Sequence, residues 1–331
     1  MMRVTVYDVA ARAGVSISTV SRVLNSPERV SEPTRLRVLS AVDALGFVPK
    51  AEAAERARRI QGRIGVLAPF FTYPSFVQRL RGVALALADA PYELAVYGVA
   101  SAAQRDAYLS TLSVTRRVDG LIVMALPFGD AIAERVLTHE VATVLVEAPR
   151  PGFSCVEIDD RSGGRMAAEY LLGRGHRRLA FVGDTDLPDY AIRTSDARLE
   201  GYSQALAAAG TELPDRYIAL APHGQETARR AAHKLFALPD PPTAIFTASD
   251  TQAMGVLKAA RECKLAVPGG VAVVGFDDLE VADYIGLTTV RQPLDESGRV
   301  AVELLLRRLA DPTSSPQRIR LPLKVVSRET A

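Results

Sequence analysis

The segment TVYDVAARAGVSISTVSRVLN, residues 5–25, constrains this chain more than any other stretch, because two short helices and their turn are written in consecutive residues. Thr5 followed by Asp8 fits a capping box, so a helix starts near Val6. Val6, Val9, Ala10 and Ala13 then recur at three- and four-residue spacing and make one apolar face. Gly14 ends that helix, since glycine takes the left-handed conformation of a tight turn without penalty. Val15 plugs the turn, and Ser16 caps a second helix whose inner face is Val20, Val23 and Leu24. Two short helices joined by a three- or four-residue turn with glycine form a helix-turn-helix.

The outer face of the second helix carries Ile17, Ser18, Thr19, Ser21, Arg22 and Asn25. Arginine can bond guanine bidentately, and an apolar side chain can contact the thymine methyl. Hydroxyls near the helix start (Ser16, Ser18, Ser21) suit phosphate oxygens, helped by the helix amino terminus. An ordinary helical hairpin with a polar outer face is the competing reading; the capping pattern, the glycine turn and the basic surroundings weigh against it. Residues 1–63 hold 11 Lys/Arg and 6 Asp/Glu, whereas the whole chain of 331 residues has a net charge of only +2. A small basic head on a mildly acidic body points to a polyanion partner for the head alone. Ser31 is placed to cap a third helix with Leu36, Leu39, Val42 and Leu45 inward, stopped by Gly46. After Pro49 the run KAEAAERARRIQGR has no apolar stripe and gains order only on contact with a partner.

VYDVAARAGVSISTVSRVLN, the later VSEPTR and GFVP closely resemble the head of the lactose-repressor (LacI/GalR) family. The resemblance implies a helix-turn-helix DNA-binding domain over 1–49 and a hinge helix/linker over 50–62, in which 50–58 form a hinge helix paired across a dimer in the minor groove. It also implies that Ile17, Ser18 and Arg22 are the main base readers. The implied DNA-contacting set is Thr5, Tyr7, Ser16, Ile17, Ser18, Thr19, Ser21, Arg22, Asn25, Lys50, Ala53 and Arg56. The hinge departs from the family pattern: Lys50 stands where asparagine is usual, and Arg56 where an apolar leucine wedges between base pairs. A guanidinium unstacks bases poorly and instead favours a narrow, electronegative groove.

From residue 63 the pattern changes. Apolar runs at RIGVLAP, YELAVYG, DGLIVMA and VATVLVE, then CVEID, RRLAFVGD, TAIFTASD and VAVVGFDD, alternate with amphipathic segments. Buried strands alternating with helices predict parallel sheets covered on both faces, and two series of similar size predict two lobes. Such sheets bind ligands at the carboxyl ends of their strands. Polar residues collect there: Glu147, Asp159, Asp160, Asp184, Ser249, Asp250, Asp277 and Asp278, with the aromatics Phe70, Phe71, Tyr73 and Phe76 after the first strand. Carboxylates beside aromatic faces fit a polyhydroxylated ring, although aspartates at strand ends also cap helices.

The body likewise resembles the family's effector-binding core, itself similar to periplasmic sugar-binding proteins. That resemblance makes Arg198 and Asp277 the principal polar effector ligands. Phe70, Tyr73, Phe76, Met124, Glu147, Asp159, Ser249 and Gln292 would line the same cleft. It places one lobe at about 63–158 and 292–318 and the other at about 159–291 and 319–331. The expected partners are double-stranded operator DNA, a small-molecule effector of carbohydrate or nucleoside type, and a second copy of the chain, in the cytoplasm.

Other classes fit less well. No apolar run approaches the ~20 residues of a membrane span, and the amino terminus does not read as a secretory signal, as a transport binding protein would require. No G-x-x-x-x-G-K phosphate loop occurs. The four histidines (His139, His176, His223, His233) pair with no serine or cysteine nucleophile in sequence, so neither catalysis nor a cofactor is expected. Cys155 and Cys263 lack metal-site spacing and read as free thiols.

Overall fold

A computed structural model describes residues 4–47, 62–185 and 188–331. The hinge positions Lys50, Ala53 and Arg56 lie outside the described residues. The head is α1 (Val6–Ala13), α2 (Ile17–Asn25) and α3 (Glu32–Leu45). The Thr5 backbone N–H and hydroxyl donate to Asp8 at 2.8 and 2.7 Å, Gly14 is left-handed with φ 63°, and Ser16 Oγ accepts from the Thr19 amide at 3.2 Å. The local signals therefore set both helices and the turn. The inward face of α3 differs from expectation. Ser31 caps it without a side-chain bond to an amide, and Leu36, expected inside, is 55% exposed. The buried stripe runs through Arg35, Val38, Leu39 and Val42, one helical face on which Arg35 occupies the place assigned to leucine.

Strand and helix then alternate through β1 (Gly62–Ala68), α4 (Pro74–Leu87), β2 (Tyr92–Gly98), α5 (Ala102–Thr115), β3 (Gly120–Met124), α6 (Asp130–Thr138), β4 (Ala142–Val146) and β5 (Ser154–Glu157). A second round gives α7 (Asp160–Gly173), β6 (Leu179–Asp184), α8 (Thr194–Ala208), β7 (Ile218–Ala221), α9 (Gln225–Phe236), β8 (Ala244–Thr247), α10 (Asp250–Glu262), β9 (Ala272–Asp277), α11 (Glu280–Tyr284) and β10 (Thr288–Arg291). α12 (Leu294–Ala310), β11 (Arg318–Arg320) and β12 (Lys324–Val326) follow.

These strands make two sheets of the same plan, β11-β5-β4-β3-β1-β2 and β12-β10-β9-β8-β6-β7. Pairing is parallel except for β12, which runs antiparallel to β10. The chain crosses between lobes after β5, after β10 and after β11. The last crossing falls later than position 318, since β11 pairs with β5 and Leu321 packs in the first lobe's core, while Leu323 packs in the second. None of the described helices is long and apolar enough to cross a membrane.

Two glycine pairs fix the helices that carry the cleft arginines. Gly82 of α4 lies against the Asp295 carbonyl of α12, and Gly298 of α12 against the Arg79 carbonyl of α4. Gly164 of α7 meets the Arg198 carbonyl, and Gly201 of α8 meets the Arg161 carbonyl. A methyl group at any of the four would collide with backbone, so these helices approach more closely than alanine permits.

Candidate nucleic-acid interface and ligand cleft

The recognition surface expected on α2 is open. Ile17 is 39% exposed and Tyr7 68%, and Ser16, Ser18, Ser21, Arg22 and Asn25 are exposed around them, with Thr5 and Thr19 half-buried. Val20, Val23 and Leu24 turn inward against Val9, Val38 and Leu39. Sequence reading did not foresee that the head is also seated on the first lobe. Val114 of α5 completes the head's apolar core. Asp43 of α3 receives Arg135 at 2.7 Å and His139 at 2.8 Å from α6 and its end. Arg117 bonds the Asn25 side-chain carbonyl, while the Asn25 amide donates to the Ser21 carbonyl at 2.8 Å. In this arrangement Asn25 joins head to body rather than presenting a free amide edge.

The second site is the interlobe cleft, about 710 Å³ including its open mouth. Strand ends of both lobes line it, as open α/β sheets require. Phe70, Tyr73, Phe76, Glu147, Arg198, Ser249, Asp277 and Gln292 all reach it, as the sequence led us to expect. Two expected residues do not. Met124 is fully buried in the first lobe's core, because a strand alternates its side chains and this one points between sheet and helices. Asp159 instead caps α7, accepting from the Ser162 amide at 3.0 Å. Its neighbour Asp160 is the carboxylate that meets Arg198, at 2.8 Å.

Two residues that sequence reasoning missed complete the cleft. Arg79, 2% exposed, ion-pairs with Glu147 and donates to Ser297 at 2.8 Å and to Gln292 at 3.4 Å. His223 bonds Asp184 at 3.0 Å and stacks on Tyr73, centroids 4.6 Å apart, with one ring from each lobe. Asp184 also receives Gln252 at 2.9 Å. Arg79 sits mid-helix among apolar residues, and His223 in a loop, so neither had a local signal.

The charges are prearranged. Arg198 lies over the Phe276 ring at 3.6 Å, donates to the Ala248 carbonyl at 2.5 Å and stands 4.0 Å from Asp277. Burial alone would weaken its hold on its proton, and Asp160 and Asp277 more than offset that. Asp277 accepts from Gln292 at 2.5 Å. Burial pushes its carboxyl up to about 6, with Arg198 pulling the other way. Glu147 and Asp277 both adopt positive φ, 66° and 122°, as does Ala125 beside them at 54°. Such backbone conformations cost about 1–3 kcal/mol each and concentrate at ligand sites.

Residues 5–50 match the family model "Bacterial regulatory proteins, lacI family", and residues 168–331 match "Periplasmic binding protein-like domain". The chain is 35% identical over 335 residues to the ribose operon repressor of Escherichia coli (strain K12), covering 99% of both chains. Among solved structures it is similar to a transcriptional regulator CelR–cellobiose complex, at 30% identity and TM-score 0.70, over 99% of this chain and all of that one. It also resembles a LacI family transcriptional regulator from Enterococcus faecium with bound ribose, at 26% identity and TM-score 0.72, over 81% of this chain and 98% of that one.

Proposed function

The chain belongs to the lacI family of bacterial regulatory proteins, and from that premise we propose that a neutral polyhydroxylated ligand, not a phosphorylated one, controls its grip on operator DNA. It is a sequence-specific DNA-binding repressor that works as a homodimer in the cytoplasm and catalyses no reaction. Two copies place two α2 helices in successive major grooves of a two-fold site. Arg22 reads guanine, Ile17 contacts a thymine methyl, and Thr5, Tyr7, Ser16, Ser18, Thr19 and Ser21 hold phosphates and neighbouring bases.

One observation carries the ligand class. Among the described residues, the only guanidiniums at the cleft, Arg79 and Arg198, are already paired with Glu147, Asp160 and Asp277, and Asp184 adds a further carboxylate. A phosphate would enter an acidic pocket without a free cation, at high desolvation cost. Hydroxyls, by contrast, can donate to Asp277, Asp184 and Glu147 and accept from Arg198. A nucleoside is the second reading, supported by the stacked Phe70–Tyr73–His223 wall, on which a flat base could lie. Similarity to a ribose operon repressor and to a regulator solved with bound ribose makes the free pentose the first choice.

A thermal-shift titration with D-ribose, adenosine and ribose 5-phosphate tests this. The neutral compound that binds should raise the melting temperature and alter operator affinity by roughly 5- to 150-fold. Stabilisation by ribose 5-phosphate alone would refute the charge argument.

A further inference from the structure

The distal end of the second lobe holds a group of side chains that the DNA and cleft sites do not use. We infer that Cys263 is a thiol-modification site for low-molecular-weight disulfides, with His233 as its base and Glu262 as the residue that orients His233.

The sequence shows no histidine near a cysteine, but folding makes one such pair. α9 and α10 pack side by side, Gly255 of α10 lying against the Gln225 carbonyl, and this brings their carboxyl ends together. There Cys263 Sγ lies 3.4 Å from His233 Nδ1. His233 Nε2 lies 2.7 Å from Glu262 Oε2, which also accepts from Arg229 at 2.8 Å. Hydrogen bonds from His233 and Arg229 hold the Glu262 carboxyl down to about 2, so it accepts throughout the neutral range. With Nε2–H committed to Glu262, Nδ1 turns its lone pair towards the thiol.

The surroundings set what each group contributes. Arg229 and Glu226 from α9, Lys258 and Glu262 from α10, and Arg261 and Lys264 beside the cysteine are the charged neighbours. His233, in the last turn of α9, is the base within reach of the Cys263 thiol. Cys155 provides a contrast within the same molecule: it is 1% exposed, and burial, with Glu157 nearby, pushes its thiol up to about 12.

In the reaction, Cys263 passes its proton to His233 Nδ1 and the thiolate attacks one sulfur of the disulfide. The Sγ–S bond forms as the reagent's S–S bond breaks. The departing thiolate recovers the proton from the imidazolium, so atoms and charge balance.

The test uses the full chain with glutathione disulfide, following adduct mass and site from pH 6 to 9. Wild type is expected to gain one adduct, on Cys263, and Cys263→Ser none. His233→Gln should react about tenfold more slowly at pH 7 and move the rate–pH curve upward, with Glu262→Gln between the two. Melting curves establish that each variant is folded. An unchanged rate–pH curve in His233→Gln overturns the inference, as does equal labelling of Cys155. A wild-type curve that coincides with that of an unstructured cysteine peptide overturns it without recourse to any variant.

Discussion

The head and the cleft solve recognition in opposite ways. On α2 the candidate reading groups are exposed side chains around the inward-facing Val20, Val23 and Leu24, and their partners are to be supplied by DNA. In the cleft the polar groups are buried, and the arginines are neutralised before any ligand arrives. An exposed, uncommitted surface gains most of its affinity from phosphate charge, so salt governs it. A buried, prepaired site discriminates by which hydrogen bonds a ligand can complete without leaving a charge unpaired. Substitutions in the two regions should therefore differ in kind as well as in size.

The largest expected effect is at Arg198. Arg198→Ala leaves Asp160 and Asp277 buried without their cation, which should cost about 3–5 kcal/mol in denaturant unfolding and abolish ligand binding. Operator affinity of the protein that remains folded should be nearly unchanged. Retained ligand response would remove Arg198 from the site. Arg79→Met should follow at about 3 kcal/mol, because Glu147 loses its partner while the aliphatic volume is kept. A neutral result there would mean that Arg79 is only packing.

Arg22→Ala should leave the melting temperature unmoved and reduce discrimination between operator and scrambled duplex by about 1–3 kcal/mol. If discrimination is retained, the base reader lies elsewhere on the head. The smallest effect is with pH. Asp277, pushed up to about 6 by burial, is ionised at neutral pH and accepts from the ligand. Ligand affinity should fall about tenfold per unit once the pH drops below that value. Its contribution to folding has the opposite sign: a carboxyl raised in the folded state adds stability as pH falls from about 6 towards its ordinary value near 3.8. Asp277→Asn should flatten both trends, and isothermal titration with parallel melting curves reads them together.

The same contrast explains what the sequence made legible. The head's signals are local: Thr5 with Asp8, Gly14 at the turn and Ser16 at the second cap lie within a few residues of the bonds they make. The lobes were legible from strand spacing, because buried parallel strands need continuous apolar runs. The cleft was legible from the residues alone where strand ends deliver one, as at Glu147, Ser249 and Asp277, whereas Arg198, inside α8, was expected only through the family resemblance. Arg79 and His223 escaped because their roles come from pairings far apart in the chain, such as Arg79 with Glu147. Met124 and Asp159 were misplaced for a related reason: one alternation along a strand, or one step into a helix cap, turns a side chain away from the cleft. The seating of the head on α5 and α6 had no sequence signal, since Asp43 and Arg135 look like ordinary surface charges until the two units meet.

The central claim, that ligand in the cleft controls the DNA grip of the head, is tested most directly on one duplex. The operator would first be selected from random sequence by the full-length protein, then its affinity measured with and without the neutral ligand that stabilises the fold. The expected outcome is a two-fold symmetric selected site whose affinity moves at least fivefold with ligand in wild type and not at all in Arg198→Ala. Selection of no site, or an affinity indifferent to bound ligand, would contradict the account.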